Sequence, residues 1–148
     1  MESSSSQEIS KPPSELYSFL IGWENIPLWI PDIVKFEPLD GEEGDLDSTS
    51  FIHIRFGNSR LKFLQRITNT VENQHLTLSW SNYPFEILHT FDLYPLGDDQ
   101  TRLVSAMTVQ PRNLLGNMLL PFLQSAIRRQ QHRSLNRLND AIQMVTPA

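Results

Sequence analysis

Four polar residues stand where the surrounding pattern asks for apolar ones. His89 occupies the middle of Phe85-Glu-Ile-Leu-His-Thr-Phe-Asp-Leu93, on the face that otherwise carries Phe85, Ile87, Phe91 and Leu93. Gln65 falls in the same way between Phe63 and Ile67, and Ser105 between Leu103 and Met107. Gln131 interrupts a stripe of period 3.6 between Ile127 and Leu135. Burying a polar group without a partner costs free energy, so each of the four calls for one. If they converge, they supply a neutral acid or base and three hydrogen-bonding groups inside apolar surroundings, the usual make-up of a small-molecule site. His89 is the strongest candidate, because its intrinsic pKa lies near physiological pH and it can donate to or accept from a ligand carbonyl or enol. The alternative for His89 is a core histidine satisfied by a neighbouring group.

Other chemistry finds little support. The chain has no cysteine, which removes disulfides, thiolate catalysis and thiolate metal sites. His53, His75, His89 and His132 form no i, i+4 pair and have no carboxylate at ligand spacing, so no metal is expected. There is no Gly-x-Ser-x-Gly, no evident Ser/His/Asp set, no phosphate-cradling glycine loop and no dinucleotide fingerprint. Hydrolase, kinase and dehydrogenase readings therefore drop out, and no cofactor is expected. A net charge of −5, with acids concentrated from Asp40 to Asp47, argues against a nucleic-acid partner. The basic cluster Arg128, Arg129, His132 and Arg133 reads as the solvated face of a helix, with contact to an anionic lipid or a partner as the alternative. No apolar stretch approaches the roughly 20 residues that span a bilayer. The opening Met-Glu-Ser-Ser-Ser-Ser has neither a basic nor a hydrophobic segment to serve as a signal, so a cytoplasmic location is expected.

The elements that must position these residues follow from periodicity. The 148 residues, 39% hydrophobic and 20% charged, suit one globular domain over residues 1–148. Residues 2–10 are polar and serine-rich, and propensity alone makes them a tail. Pro12-Pro13 opens a short helix whose face is Leu16, Phe19 and Leu20, with Gly22 ending it. Trp23 to Asp32 holds two tryptophans and two prolines, which suggests a second short helix and a forced turn. From Ile33 to Gln110 the period is two. Strands are expected over Val34–Leu39, Thr49–Phe56, Arg60–Val71, His75–Trp80, Phe85–Pro95 and Thr101–Gln110. After Pro111 the period returns to 3.6, along Leu115, Leu119, Phe122, Leu123, Ala126, Ile127, Leu135, Leu138, Ile142 and Val145. Pro121 removes a helical hydrogen bond, so the main helix is expected to start there after a short lead-in. Strands followed by one long helix make an α+β fold.

Three segments carry a family likeness: Ile9-Ser-Lys-Pro-Pro-Ser-Glu-Leu-Tyr-Ser-Phe-Leu20, Trp23-Glu-Asn-Ile-Pro-Leu-Trp29, and Gly97-Asp-Asp-Gln-Thr-Arg-Leu103 before the terminal helix. In this order the chain resembles the SRPBCC superfamily, the START-like helix-grip group of polyketide cyclase/dehydrases, lipid-transfer domains and coenzyme-Q-binding proteins. The resemblance implies a helix-grip fold, an antiparallel sheet of six to seven strands wrapped around a long C-terminal helix. Two short helices follow the first strand. It also implies that residues 2–10 are a strand, although Ser4 and Ser6 stand where relatives place valine or isoleucine. An internal hollow rests on the same resemblance, because alternation alone does not distinguish a filled core from an empty one.

The inward parity of the strands then marks Gln65, Trp80, His89, Phe91, Ser105, Met107, Phe122 and Gln131 as candidate ligand-binding residues, with His89 as the candidate acid–base group. Arg55, Arg66 and Arg102 fall on the solvent parity. Trp23 and Trp29 are expected to pack the short helices over the mouth, with Tyr83 near the entrance. Three readings follow. The first is a carrier or chaperone for an apolar small molecule such as a lipid, quinone or polyketide. The second is a cyclase/dehydrase-type enzyme using His89 without metal or nucleotide cofactor. The third is a module that contacts a protein or, transiently, a membrane surface. Oligomeric state is not legible.

Overall fold

Six strands form where the two-residue period predicts them, and the last of them recruits a seventh from the serine-rich start. The computed structural model describes residues 1–144. In chain order it contains β1 (Glu2–Ile9), α1 (Pro13–Ile21), α2 (Ile26–Trp29), β2 (Ile33–Asp40), β3 (Thr49–Phe56), β4 (Ser59–Val71), β5 (His75–Ser81), β6 (Phe85–Gly97), β7 (Gln100–Pro111) and α3 (Leu114–Met144). Val145, the last residue of the expected helical stripe, lies outside the described residues. The seven strands make one sheet in the order β1-β7-β6-β5-β4-β3-β2, antiparallel throughout. Register shifts in the β2–β3, β4–β5 and β6–β7 pairs add the local twist that lets the sheet curl around a helix.

β1 corrects a reading from propensity alone. Its serines are poor strand formers, yet the segment pairs in unbroken register with β7, from Glu2 opposite Thr108 to Ile9 opposite Thr101. Pairing and burial of Ile9 override local preference. The serines have a use as well: Ser3 turns inward and its hydroxyl donates to Gln131 Oε1 at 2.5 Å.

α1 starts on Pro13 and buries Leu16, Tyr17, Phe19 and Leu20; Gly22 caps it, its N–H bonding the Ser18 carbonyl at 3.1 Å. Pro31 and Asp32 then turn the chain into β2, with Asp32 in the left-handed region at φ 61°.

α3 departs from expectation at Pro121, which lies inside one continuous helix instead of starting it. The start is set seven residues earlier. Asn113 accepts the Gly116 N–H on its side chain at 3.0 Å and donates its own amide to the Tyr83 carbonyl at 2.9 Å. Pro121 faces solvent, as does Asn117, whose carbonyl loses its helical partner there because proline has no N–H. Gly116 is buried because the helix start presses on the β5–β6 turn; a Cβ there would meet the Pro84 carbonyl oxygen. Further along, Leu135, Leu138 and Ile142 are buried in the core.

Candidate functional site

Alternation along the strands sends one row of each to the concave side, and the expected parity holds from β3 to β7. Ile52, Ile54, Phe63, Ile67, Leu76, Leu78, Trp80, Phe85, Ile87, Phe91, Leu93, Leu103, Met107 and Val109 are all buried, while Arg55, Arg66 and Arg102 face solvent. Between this face and the middle of α3 lies an apolar cavity of about 70 Å³. The strands contribute Ile54, Phe56, Leu61, Phe63, Trp80, Phe85, Ile87, His89 and Met107; α3 closes it with Leu123, Ile127, Gln130 and Ser134.

His89 is the one titratable group on this wall. Its ring lies 4.3 Å from that of Trp80 and runs nearly parallel to Phe91 at 6.4 Å. Nε2 is buried and has no hydrogen-bond partner. Burial disfavours the imidazolium, and the pKa falls from 6.5 to about 4. The side chain is therefore a neutral donor and acceptor at physiological pH.

The other three polar residues are partnered among themselves or with near neighbours, so the four do not converge. Gln131 donates to the Ser105 carbonyl at 3.1 Å and to its hydroxyl at 3.4 Å, while accepting from Ser3. This knot ties α3 to β7 and β1 and lies outside the cavity wall. Gln65 accepts the Trp80 indole N–H at 2.8 Å and donates to Ser50 at 3.4 Å. It faces a separate space of about 10 Å³ under α1, too small for a ligand. Trp80 thus offers the cavity only its apolar ring. Satisfied buried polar groups of this kind specify packing.

Of the remaining candidates, Met107 lines the cavity and Phe91 does not. Phe91 packs edge-on against Trp29, with ring centroids 5.7 Å apart, as part of the core. Phe122 is 82% exposed and sits on the outer side of α3. A helix of 3.6 residues per turn separates neighbours by about 100°, so Leu123 and Phe122 cannot both face inward. Sequence reasoning did not single out Gln130 and Ser134. Their signal was present, since Leu123, Ile127, Gln130 and Ser134 repeat at i, i+4, i+7 and i+11.

An open groove of about 510 Å³ adjoins the cavity and shares Phe56 and Gln130 with it. Asp32, Arg55, Phe122, Arg129 and Arg133 are among its lining residues. On the opposite, convex face, His75 bridges Asp92 at 2.6 Å and Thr77 at 2.7 Å. This resembles a nucleophile–base–acid line, but Thr77 sits in a central strand paired on both sides, so its surroundings offer no free amides for an oxyanion. Among the described residues no group of three or more His, Asp or Glu could hold a metal ion, and no helix is long and apolar enough to cross a membrane.

A long helix gripped by a seven-stranded antiparallel sheet, with an apolar hollow between them, defines a helix-grip protein of the START-like SRPBCC superfamily. Within it, the chain belongs to the polyketide cyclase/dehydrase and lipid transport family, whose profile matches residues 9–135. No curated protein sequence matches the chain. Among solved structures it is similar to TTHA0849 from Thermus thermophilus, at a TM-score of 0.82 and 17% identity over 99% of this chain and 100% of that one. The ZhuI aromatase/cyclase from Streptomyces sp. R1128 gives 0.81 at 13% identity, over 97% and 93%. A START superfamily protein from Mycobacterium smegmatis gives 0.74 at 17% identity, over 95% and 98%. Likeness at such identities carries the fold and leaves the substrate open.

Proposed function

We propose that the protein binds an apolar small molecule in the cavity beneath α3, as a carrier or chaperone, and that His89 hydrogen-bonds the ligand's one buried polar group. The observation that supports this reading is the unpartnered His89 Nε2 on a sheet face whose other cavity-lining residues are all apolar. An orphaned buried polar atom costs about 1–3 kcal/mol, which a ligand hydroxyl or carbonyl at that spot would recover. At about 70 Å³ the cavity is smaller than the ~150 Å³ apolar hole that holds benzene. Even a one-ring ligand must displace the half-buried Leu123 and Ile127, so binding entails lifting the middle of α3.

A second reading, ring closure or dehydration of a poly-carbonyl chain, draws on the family and on the likeness to an aromatase/cyclase. It asks His89 to move protons. A pKa of about 4 makes it a weak base at neutral pH, and no carboxylate or tyrosine shares the wall. The binding reading therefore takes precedence.

Titration with 2-naphthol and naphthalene, followed by fluorescence, tests the proposal. The wild type is expected to favour 2-naphthol, and His89→Leu to lose that preference while still binding naphthalene. If neither probe binds the wild type or the cavity-enlarging Leu123→Ala, the proposal fails. Turnover of a poly-β-keto thioester by the wild type and not by His89→Leu would move the assignment to the cyclase reading.

A further inference from the structure

The groove beside the cavity differs in charge from the rest of the molecule. Three guanidinium groups line it, those of Arg55, Arg129 and Arg133, against the single carboxylate of Asp32. The formal local charge is therefore +2 in a chain of −5. Arg133 is engaged: Nη1 and Nη2 grip the two Asp32 oxygens at 2.9 and 3.4 Å. Among the described residues Arg55 and Arg129 form no ion pair. Arg129 stands one helical turn before Arg133, and Arg55 faces the groove from β3. The concentration is longer-ranged than this. From Gln100 to Asn139 the chain carries six arginines and no Asp or Glu, whereas sixteen of its seventeen acids precede residue 100.

Position gives the charge its meaning. Phe56 and Gln130 border both the groove and the apolar cavity, so the two spaces adjoin across these two side chains. Gln130 is held at that boundary by donating to the Pro31 carbonyl at 3.2 Å. A molecule whose apolar end fills the cavity and whose other end emerges there meets two unpaired guanidiniums. Guanidinium matches the planar, forked geometry of carboxylate and phosphate oxygens.

Resting on the cavity reading above, we infer that the ligand is amphipathic, with an apolar ring or chain inside and a carboxylate or phosphate held at the groove by Arg55 and Arg129. Attraction between the groove and such an end also raises the rate of encounter, and salt weakens it.

The test compares 4-(2-naphthyl)butanoate with its methyl ester at pH 7.5, where the acid is ionised. The 4-(2-naphthyl)butyl phosphate serves as a third probe that distinguishes the two anions. The wild type is expected to bind the anions about tenfold more tightly than the ester, as one or two solvent-screened charge-assisted hydrogen bonds would give. The double variant R55Q/R129Q, altered at two exposed positions, is expected to lose that preference and keep its affinity for the ester. Equal binding of acid and ester by the wild type overturns the inference and leaves the cavity reading standing. Binding of no probe removes both. If the arginines matter only for retention on phosphatidylglycerol vesicles, with no preference among soluble probes, they serve a membrane surface and the inference is overturned.

Discussion

The two halves of α3 invert the usual tie between apolar content and burial: nine of the sixteen residues from Leu114 to Arg129 are apolar, against five of the fifteen from Gln130 to Met144, yet the second half is the buried one. In the second half Gln131, Leu135, Leu138 and Ile142 are buried, and the polar member is bonded to β1 and β7. In the first half Leu114, Leu115, Met118, Leu119 and Phe122 are exposed; Leu120, Leu123 and Ile127 are partly buried against the core, and the last two meet the cavity. The first half is pinned at its start, by Asn113 and Gly116 against the Asn82–Pro84 turn, and at its end by the Gln131 knot. Between these pins it spans a hollow. The second half of the helix therefore carries most of its buried apolar contact, while the stretch from Leu123 to Ser134 roofs the site, and the apolar contact the first half forgoes is what leaves space for a ligand.

The sharpest way to break this contrast is a matched pair of truncations. Leu138→Ala removes a fully buried side chain and is expected to destabilise the protein by roughly 2–5 kcal/mol. Leu119→Ala, in the first half, is expected to cost under about 1 kcal/mol. Urea denaturation measures both, and equal losses would show that the first half carries as much of the fold as the second.

Acid probes the cavity beneath the roof. His89 has a pKa near 6.5 when unfolded and about 4 when folded. Above pH 6.5 the residue is neutral in both states and contributes no pH dependence. As the pH falls from 6.5 toward 4 the unfolded chain takes up a proton that the folded chain refuses, so stability drops. Below about 4 both forms are protonated and the loss levels off. The full loss is roughly 3 kcal/mol, and bound 2-naphthol should deepen it by holding His89 neutral. Carboxylates titrate in the same window, so the comparison is with His89→Leu, whose denaturation midpoint should fall less steeply between pH 6.5 and 4. Parallel profiles would mean that His89 is hydrated and not sealed in an apolar wall.

Most of the fold was legible because burial imposes a period. Six strands were placed to within two residues at each end, and their inward faces followed from alternation alone. β1 was not legible from propensity, since what makes it a strand is β7, about a hundred residues away in the chain. Pro121 misled because the helix start is set by Asn113 and by the room around Gly116, neither of which a periodic stripe registers. The candidate site was legible in part. His89, Trp80 and Met107 were found on the cavity wall, whereas Gln65, Ser105 and Gln131 satisfy one another or close neighbours. Whether a buried polar residue serves a ligand or the packing depends on partners from other elements, and a pattern within one strand cannot register them.

Phe122 shows the same limit at the edge of the roof and supplies the finest test of it. It belongs to the apolar stripe by type, and a stripe wide enough to include both Phe122 and Leu123 spans more than one face. The backbone gives the inward position to Leu123 and leaves Phe122 82% exposed. Phe122→Ser is therefore expected to change stability by no more than about 0.5 kcal/mol. The affinity for 2-naphthol should stay within about twofold, while Leu123→Ala, one residue on, enlarges the cavity and changes that affinity measurably. Isothermal titration of the two variants reads the difference. A loss at Phe122 as large as the change at Leu123 would mean that α3 turns its other face inward when a ligand enters, and the roof would then be a moving part of the site.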